Sequence, residues 1–283
     1  MIQIGLTGWG DHPDLYVSSA KEKLQDYSAH FPVVELDASF YAIQPIKNSL
    51  KWIKETPADF QFVVKAYQGI TGHLRGDFPF ESTKEMFELY RKSIMPFKEA
   101  GKLAMVLVQF PPWFRCETEN VTYLRKVREE LKDFDVVIEF RHQSWYAAEF
   151  QQSTLQFLRS HQFHHSVCDE PQAGEGSIPL VPIATSDKVL IRLHGRNTYG
   201  WVNHGNKEKW REVRYLYDYN KEELAYIKSI CEQLHEQAKD VILLFNNNSG
   251  GHAANNAKAF QQMLGVKFDG LAPRQLDLFE EDF

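Results

Sequence analysis

Asp135-Val-Val-Ile-Glu-Phe-Arg-His-Gln-Ser-Trp145 is the stretch on which the fold turns. Val136, Val137, Ile138 and Phe140 make it a strand, because β-branched and aromatic side chains suit a pleated, buried surface. Glu139 and Arg141 stand two apart and so share one face, with His142 and Trp145 following at once. Unpaired charge is expensive to bury. The stretch therefore holds either a structural Glu–Arg pair or the rim of an active site at a strand's carboxyl end.

Outward from it the same pattern recurs. Apolar runs of strand length lie at residues 2–7, 33–41, 60–66, 103–110, 163–169, 189–194 and 241–245. Segments with helical spacing separate them, at 16–30, 46–55, 82–100, 118–132, 150–160, 220–236 and 253–264. Asn220 is placed to cap one of these helices. Residues 170–187 read as a Pro/Gly-containing surface loop, and residues 197–219 as an aromatic, Gly-containing excursion. The apolar part of each strand lacks hydrophobic/polar alternation, as in a parallel sheet buried on both faces. Eight such repeats in a chain of 283 residues match a TIM-like (β/α)8 barrel of the α/β class. A doubly wound sheet is the competing architecture, but no Gly-x-Gly-x-x-Gly follows the first strand. One barrel domain over residues 1–268 is expected, then a mobile C-terminal tail over 269–283.

Composition narrows the class. A hydrophobic fraction of 43% and a charged fraction of 25% are those of a globular protein. The formal charge of −6 excludes a broadly basic nucleic-acid surface, so any anion contact must be local. Cys116, Cys168 and Cys231 are odd in number and far apart, which suggests a reducing compartment. The opening residues do not read as a signal peptide, and no apolar run approaches membrane-spanning length. A cytoplasmic location is the expectation, with no membrane partner.

In a barrel the chemistry sits where strands end. The ends here supply Glu35, Asp37, Lys65, Gln109, Glu139, Arg141, His142, Asp169, Arg192, His194, Asn246 and Asn248, and the strand beginnings show nothing comparable. Three readings compete. In the first, Lys65, Arg141, His142, Arg192, Arg196 and Asn246 bind an anionic substrate, since guanidinium forks match phosphate or carboxylate oxygens. The 246–251 stretch and the following helix would add backbone donors. Glu139, Glu35, Asp37 and His194 are then the acid/base candidates. In the second reading Glu35, Asp37, Glu139, Asp169, His142 and His194 ligate a divalent metal, although no compact ligand spacing supports it and the interleaved cations offer the acids other partners. In the third the cluster is a polar barrel plug without chemistry. The sequence leaves the cofactor unknown. Trp9, Phe40, Tyr41, Phe110, Trp113, Trp145 and Trp201 fall just after strand ends; they cap the core or, as for Trp145 beside the site, stack on a ligand. His164 and His165 begin the sixth strand, on the side away from a site.

Seven segments together resemble the DUF72 (YecE-like) family over nearly the whole chain. They are Gly5-Leu-Thr-Gly-Trp9, Val34-Glu-Leu-Asp-Ala-Ser-Phe-Tyr41, Phe62-Val-Val-Lys65, Val108-Gln-Phe-Pro-Pro112, Glu139-Phe-Arg-His142 with Ser144-Trp145, Arg192-Leu-His-Gly195, and Phe245-Asn246 through Gly251-His-Ala253 to Asn255-Asn-Ala257. The resemblance implies a TIM-like barrel and no established activity. Asp37 departs from the family pattern, in which Asn stands beside the aromatic pair.

The tail carries a separate signal. Gln275-Leu276-Asp277-Leu278-Phe279 is similar to the short peptide by which bacterial replication and repair proteins dock on the sliding clamp. The functional expectation is thus an enzyme acting on a phosphate-bearing substrate at the barrel mouth, with a clamp tether linking it to DNA metabolism. The alternatives are a non-catalytic clamp-associated binding protein and a metal-dependent sugar or sugar-phosphate isomerase or hydrolase.

Overall fold

The computed structural model describes residues 1–16, 22–201, 210 and 213–273. Eight parallel strands close into a barrel in sequence order: β1 (Ile2–Thr7), β2 (Val33–Leu36), β3 (Gln61–Lys65), β4 (Leu103–Gln109), β5 (Val136–Glu139), β6 (Phe163–Asp169), β7 (Lys188–Leu193) and β8 (Asp240–Phe245). β1 pairs with β8, which completes the closure. Among the described residues the α-helices are α1 (Lys23–Ser28), α2 (Ala38–Tyr41), α3 (Ile46–Lys54), α4 (Thr83–Glu99), α5 (Thr118–Glu130), α6 (Gln151–Ser160), α7 (Thr198–Trp201), α8 (Lys221–Gln237) and α9 (His252–Leu264). The TIM-like reading is thereby confirmed. Among the described residues, no helix is long and apolar enough to cross a membrane.

Two cores follow from strand alternation. One lies between strands and helices and includes Val34, Leu36, Phe62, Val64, Ile138 and Phe140. The other fills the barrel interior and contains Val33, Val63, Met105, Leu107, Val137, Leu190, Ile242 and Leu244. Period-two geometry continues that inner row upward. Above Val33 comes Glu35, above Val63 comes Lys65, above Val137 comes Glu139, and above Leu190 comes Arg192. The barrel is apolar toward the strand beginnings and charged toward their ends.

Several boundaries differ from expectation. Residues 33–41 do not form one strand: β2 stops at Leu36, and α2 begins at Ala38. The Ser39 hydroxyl turns the chain by reaching the carbonyls of Leu36 (2.8 Å) and Lys65 (2.7 Å). Asp37 and Ser39 therefore leave the strand face that Glu35 occupies. The helix expected at 16–30 is shorter, Lys23–Ser28, after a 3-10 turn at Pro13–Leu15; residues 17–21 lie outside the described residues. β7 ends at Leu193, and Gly195 (φ +81) redirects the chain. A Cβ there would meet the Tyr217 side chain at 2.5 Å, so only glycine permits that close approach. Arg196 consequently leaves the Arg192 face. The capping expectation holds, with Asn220 and Glu223 forming a reciprocal capping box at α8. Past α9 the Ala272 amide donates to Ser28 O at 3.1 Å, so the chain still lies against the barrel there. Gln275–Phe279 lie outside the described residues.

Candidate active site at the barrel mouth

Glu139 is the hub. One of its oxygens lies 2.7 Å from Arg141 Nε and accepts from Gln109 Nε2 at 2.6 Å. The other accepts from Arg192 Nη1 at 2.8 Å and from Ser166 Oγ at 3.2 Å. Arg192 turns its remaining edge to Glu35, Nε at 2.9 Å and Nη2 at 2.7 Å, a bidentate pair. Arg141 also bonds Glu170, whose second oxygen accepts the Ile178 amide at 2.7 Å. All five charged groups are buried. Burial opposes the charge on Glu139, but Arg192 and Arg141 overcome it and hold the carboxyl well below the usual range.

Three carboxylates against two guanidiniums leave one excess negative charge in a dry interior. Burial accordingly pushes Glu35 up to about 7 against Arg192, and Glu170 up to about 7 against Arg141. A proton on either acid restores neutrality. Thus the expected Glu139–Arg141 contact exists and belongs to a larger network. Networks of this kind confer little net stability, yet removing one member strands its partner.

His194 is completely buried beneath the mouth. Its Nε2 lies 3.0 Å from Arg141 Nη2, and a guanidinium can only donate, so Nε2 is the acceptor. The ring is then neutral with its proton on Nδ1, 2.8 Å from the Asn246 side-chain amide, whose oxygen must face it. Burial and the Arg141 charge both push His194 well below its usual pKa. Lys65 pairs with Asp37 at 3.2 Å and sits 4.8 Å from the Phe40 ring centroid. Burial works against the Asp37 charge, but Lys65 and Arg192 bring the carboxyl below its ordinary value.

Other expected site residues lie elsewhere. Arg196 is held by Asp169 (Nη2 at 2.8 Å) and Glu223 (3.3 Å) at the outer edge. His142 accepts the Ser144 amide at 3.1 Å and caps the 3-10 turn Gln143–Tyr146. Trp145 is 2% exposed, stacked on Phe140 at 4.0 Å with its indole N–H on Phe114 O, so it packs the core and offers no face to a ligand. Phe110 joins the same stack. Only Tyr41 (68% exposed) and Trp113 (55%) of the expected collar present substantial open surface. His164 bonds Asp135 and Ser186 at the opposite end of the barrel, as expected.

The metal reading finds poor support in the donor set. Glu139, Cys168 and His194 do bring donor atoms within 4.8 Å of one another. However, Arg141 and Arg192 already bond Glu139, and Arg141 also occupies the His194 lone pair; a cation there would face two fixed positive charges. Of the other expected ligands, Glu35 is paired with Arg192, Asp37 with Lys65 and Asp169 with Arg196, while His142 caps the Gln143–Tyr146 turn.

Above the network opens a cavity of about 610 Å³ lined by residues including Asp37, Trp210, Arg214, Tyr215, Asn246 and Asn248. Arg214 and Tyr215 come from the excursion after β7 and were not anticipated. That segment is pinned by the Asn197 side chain, which donates to Val213 O (3.0 Å) and Leu216 O (3.2 Å), and by a bridge between Leu216 and Ser249. The Arg214 guanidinium packs on Trp201 (4.5 Å), Trp210 (4.6 Å) and Tyr215 (5.3 Å). It has no carboxylate or side-chain hydrogen-bond partner among the described residues, and its Nε is buried. The aromatic density of the excursion was the available signal, though it does not say which basic residue faces inward.

The comparisons agree with this architecture. Residues 3–277 match the model of the family described as "Protein of unknown function DUF72". The chain is 55% identical to the UPF0759 protein YunF of Bacillus subtilis, over 99% of this chain and 100% of that protein. A crystal structure of a DUF72 family protein from Enterococcus faecalis has a TM-score of 0.91 at 40% identity, covering 98% of this chain and 100% of that one. One from Thermotoga maritima has a TM-score of 0.79 at 32% identity, with 94% and 100% covered. Barrel, strand-end residues and full-length similarity converge: this chain belongs to the DUF72 family.

Proposed function

We propose that the chain is an enzyme acting on an anionic, phosphate-bearing substrate at the carboxyl-end mouth of the barrel. The observation that carries this reading is Arg214. Arg141, Arg192 and Arg196 are each engaged by carboxylates, whereas Arg214 lines the cavity with no carboxylate at ion-pair distance among the described residues. A guanidinium stacked on aromatic rings is suited to a phosphate, which accepts its forked donors. Asn248 and Ser249 face the same space, and α9 starts just beyond with the positive end of its dipole. Asn246 lines the cavity too, but its amide is committed to His194.

The volume suits a small molecule. Asp37, paired with Lys65, lies on the cavity wall, and Glu35 stands behind it with a proton to give near neutral pH. These two are the acid/base candidates nearest the substrate. Glu139 and His194 orient the floor, one locked in its charged form and the other neutral. Calorimetric titration with inorganic phosphate tests the reading. Arg214→Ala should weaken binding at least about tenfold, the scale of one charge-assisted contact, while Arg196→Ala should leave it unchanged. Equal affinity in wild type and Arg214→Ala would sink it.

A second reading is favoured by Gln275-Leu276-Asp277-Leu278-Phe279. In it the tail docks on a bacterial sliding clamp and brings the mouth to DNA metabolism by tethering, which raises local concentration without a basic surface.

A further inference from the structure

We propose that Tyr215 is the proton-transfer group of the mouth, a phenol set among cations so that it takes a proton from the bound substrate and returns it. This rests on the anionic-substrate reading and adds a reaction type to it. Tyr215 lines the same cavity as Arg214, Asp37 and Asn246. Its ring stands 6.0 Å from the His194 ring and 6.2 Å, edge-on, from Trp201, while the Arg214 guanidinium lies 5.3 Å from its centroid.

Arg214 lies against the Tyr215 ring, and Arg141 bonds the neighbouring His194; Lys65 and Arg192 add their charge from further off. His194 is neutral and adds no charge. The nearby carboxylates are spoken for, Asp37 by Lys65, Glu35 by Arg192, Glu139 by both arginines and Glu170 by Arg141. Asp11 also lines the cavity. Burial alone would raise the Tyr215 phenol, but Arg214, Arg141, Lys65 and Arg192 outweigh it and bring the group below its ordinary value. The contrast with the fully buried Tyr27 and Tyr146 is informative, since burial dominates there and pushes both phenols well up.

The step balances within the site. The Tyr215 oxygen, as phenolate, forms an O–H bond with a proton of the substrate. The substrate's own bond to that proton breaks, and its electron pair remains on the substrate atom. The new negative charge lies in the cavity that Arg214 lines, and the reverse transfer restores the phenolate. A base of this kind works best when its pKa approaches the working pH.

Two measurements on the full chain decide it. Absorbance at 295 nm is followed from pH 6 to 11 in wild type and in Tyr215→Phe, with circular dichroism confirming that both are folded. The difference curve should show one phenol ionising below the ordinary value of about 10. Sulfate, whose charge is constant over this range, is then titrated calorimetrically. Wild type should lose about tenfold more affinity than Tyr215→Phe between pH 7 and pH 10, because the phenolate repels the anion. A difference curve centred at or above about 10, or identical sulfate profiles, would overturn the role of Tyr215 while leaving the anion site intact. If wild type bound neither sulfate nor phosphate at any pH, the anion site itself would be wrong and this role would fall with it.

Discussion

Replacing Glu139 with glutamine keeps the shape of the side chain and removes the charge on which the buried network converges. The carboxylate accepts from Arg192, Gln109 and Ser166 and pairs with Arg141, at 2.8, 2.6, 3.2 and 2.7 Å. A glutamine amide has one acceptor oxygen and presents an NH2 group on its other side. Either Arg141 or Arg192 must then face a donor. Each hydrogen bond to a charged group contributes roughly 1.5–3 kcal/mol, and breaking a buried ion pair from one side costs about 3–5 kcal/mol. Total stability is on the order of 5–15 kcal/mol, so Glu139→Gln should take a large part of it. For a chain of this size that corresponds to a fall in Tm of roughly 5–8 °C. Urea unfolding monitored by circular dichroism measures the free energy directly. A loss below about 1 kcal/mol would refute the reasoning, because a solvated pair behaves that way and a buried one does not.

The acid beside this hub should respond to pH in the opposite sense. Glu35 has a folded pKa raised to about 7, so the folded state holds the proton more tightly. Its stabilising contribution is complete below the unfolded value of about 4.3 and is lost as pH rises through 7. Wild-type stability should therefore decline by up to ~3 kcal/mol from this group between pH 4.5 and 8, and Glu35→Gln should flatten that decline; an unchanged slope in urea titrations would contradict it. Trp145→Ala should cost about 3–5 kcal/mol by emptying the aromatic stack, and the surviving folded fraction should bind phosphate as wild type does. Weaker phosphate binding by that folded fraction would return Trp145 to the site. Deleting residues 275–283 should abolish binding to a purified sliding clamp in surface plasmon resonance and leave thermal stability unaltered. Equal clamp binding with and without the tail would remove that partner.

Much of the fold was legible because period-two and period-3.6 patterning is local information. The β5 stretch announced itself through Val136–Ile138, and the inner row that places Glu139 and Arg192 above apolar residues follows from alternation alone. Where the chain turns on a single hydroxyl, as Ser39 does, or on a close approach, as Gly195 does, local pattern extended the strand too far. The candidate site was half legible. Glu35, Glu139, Arg141, Arg192 and His194 do converge, but strand position could not say that the guanidiniums spend themselves on carboxylates. Glu170 lies just past the end of β6, at the start of the 170–187 loop, and completes that accounting. Arg214 and Tyr215 reach the mouth through a bridge from Leu216 to Ser249, a pairing across more than thirty residues of sequence. Such long-range contacts have no periodic signature.

A crystal structure of the protein soaked in inorganic phosphate tests the anion site most directly. Tetrahedral density should appear at the Arg214 guanidinium, facing Asn248 and Ser249 across the mouth cavity. Density confined to the protein surface, with water alone beside Arg214, would contradict it.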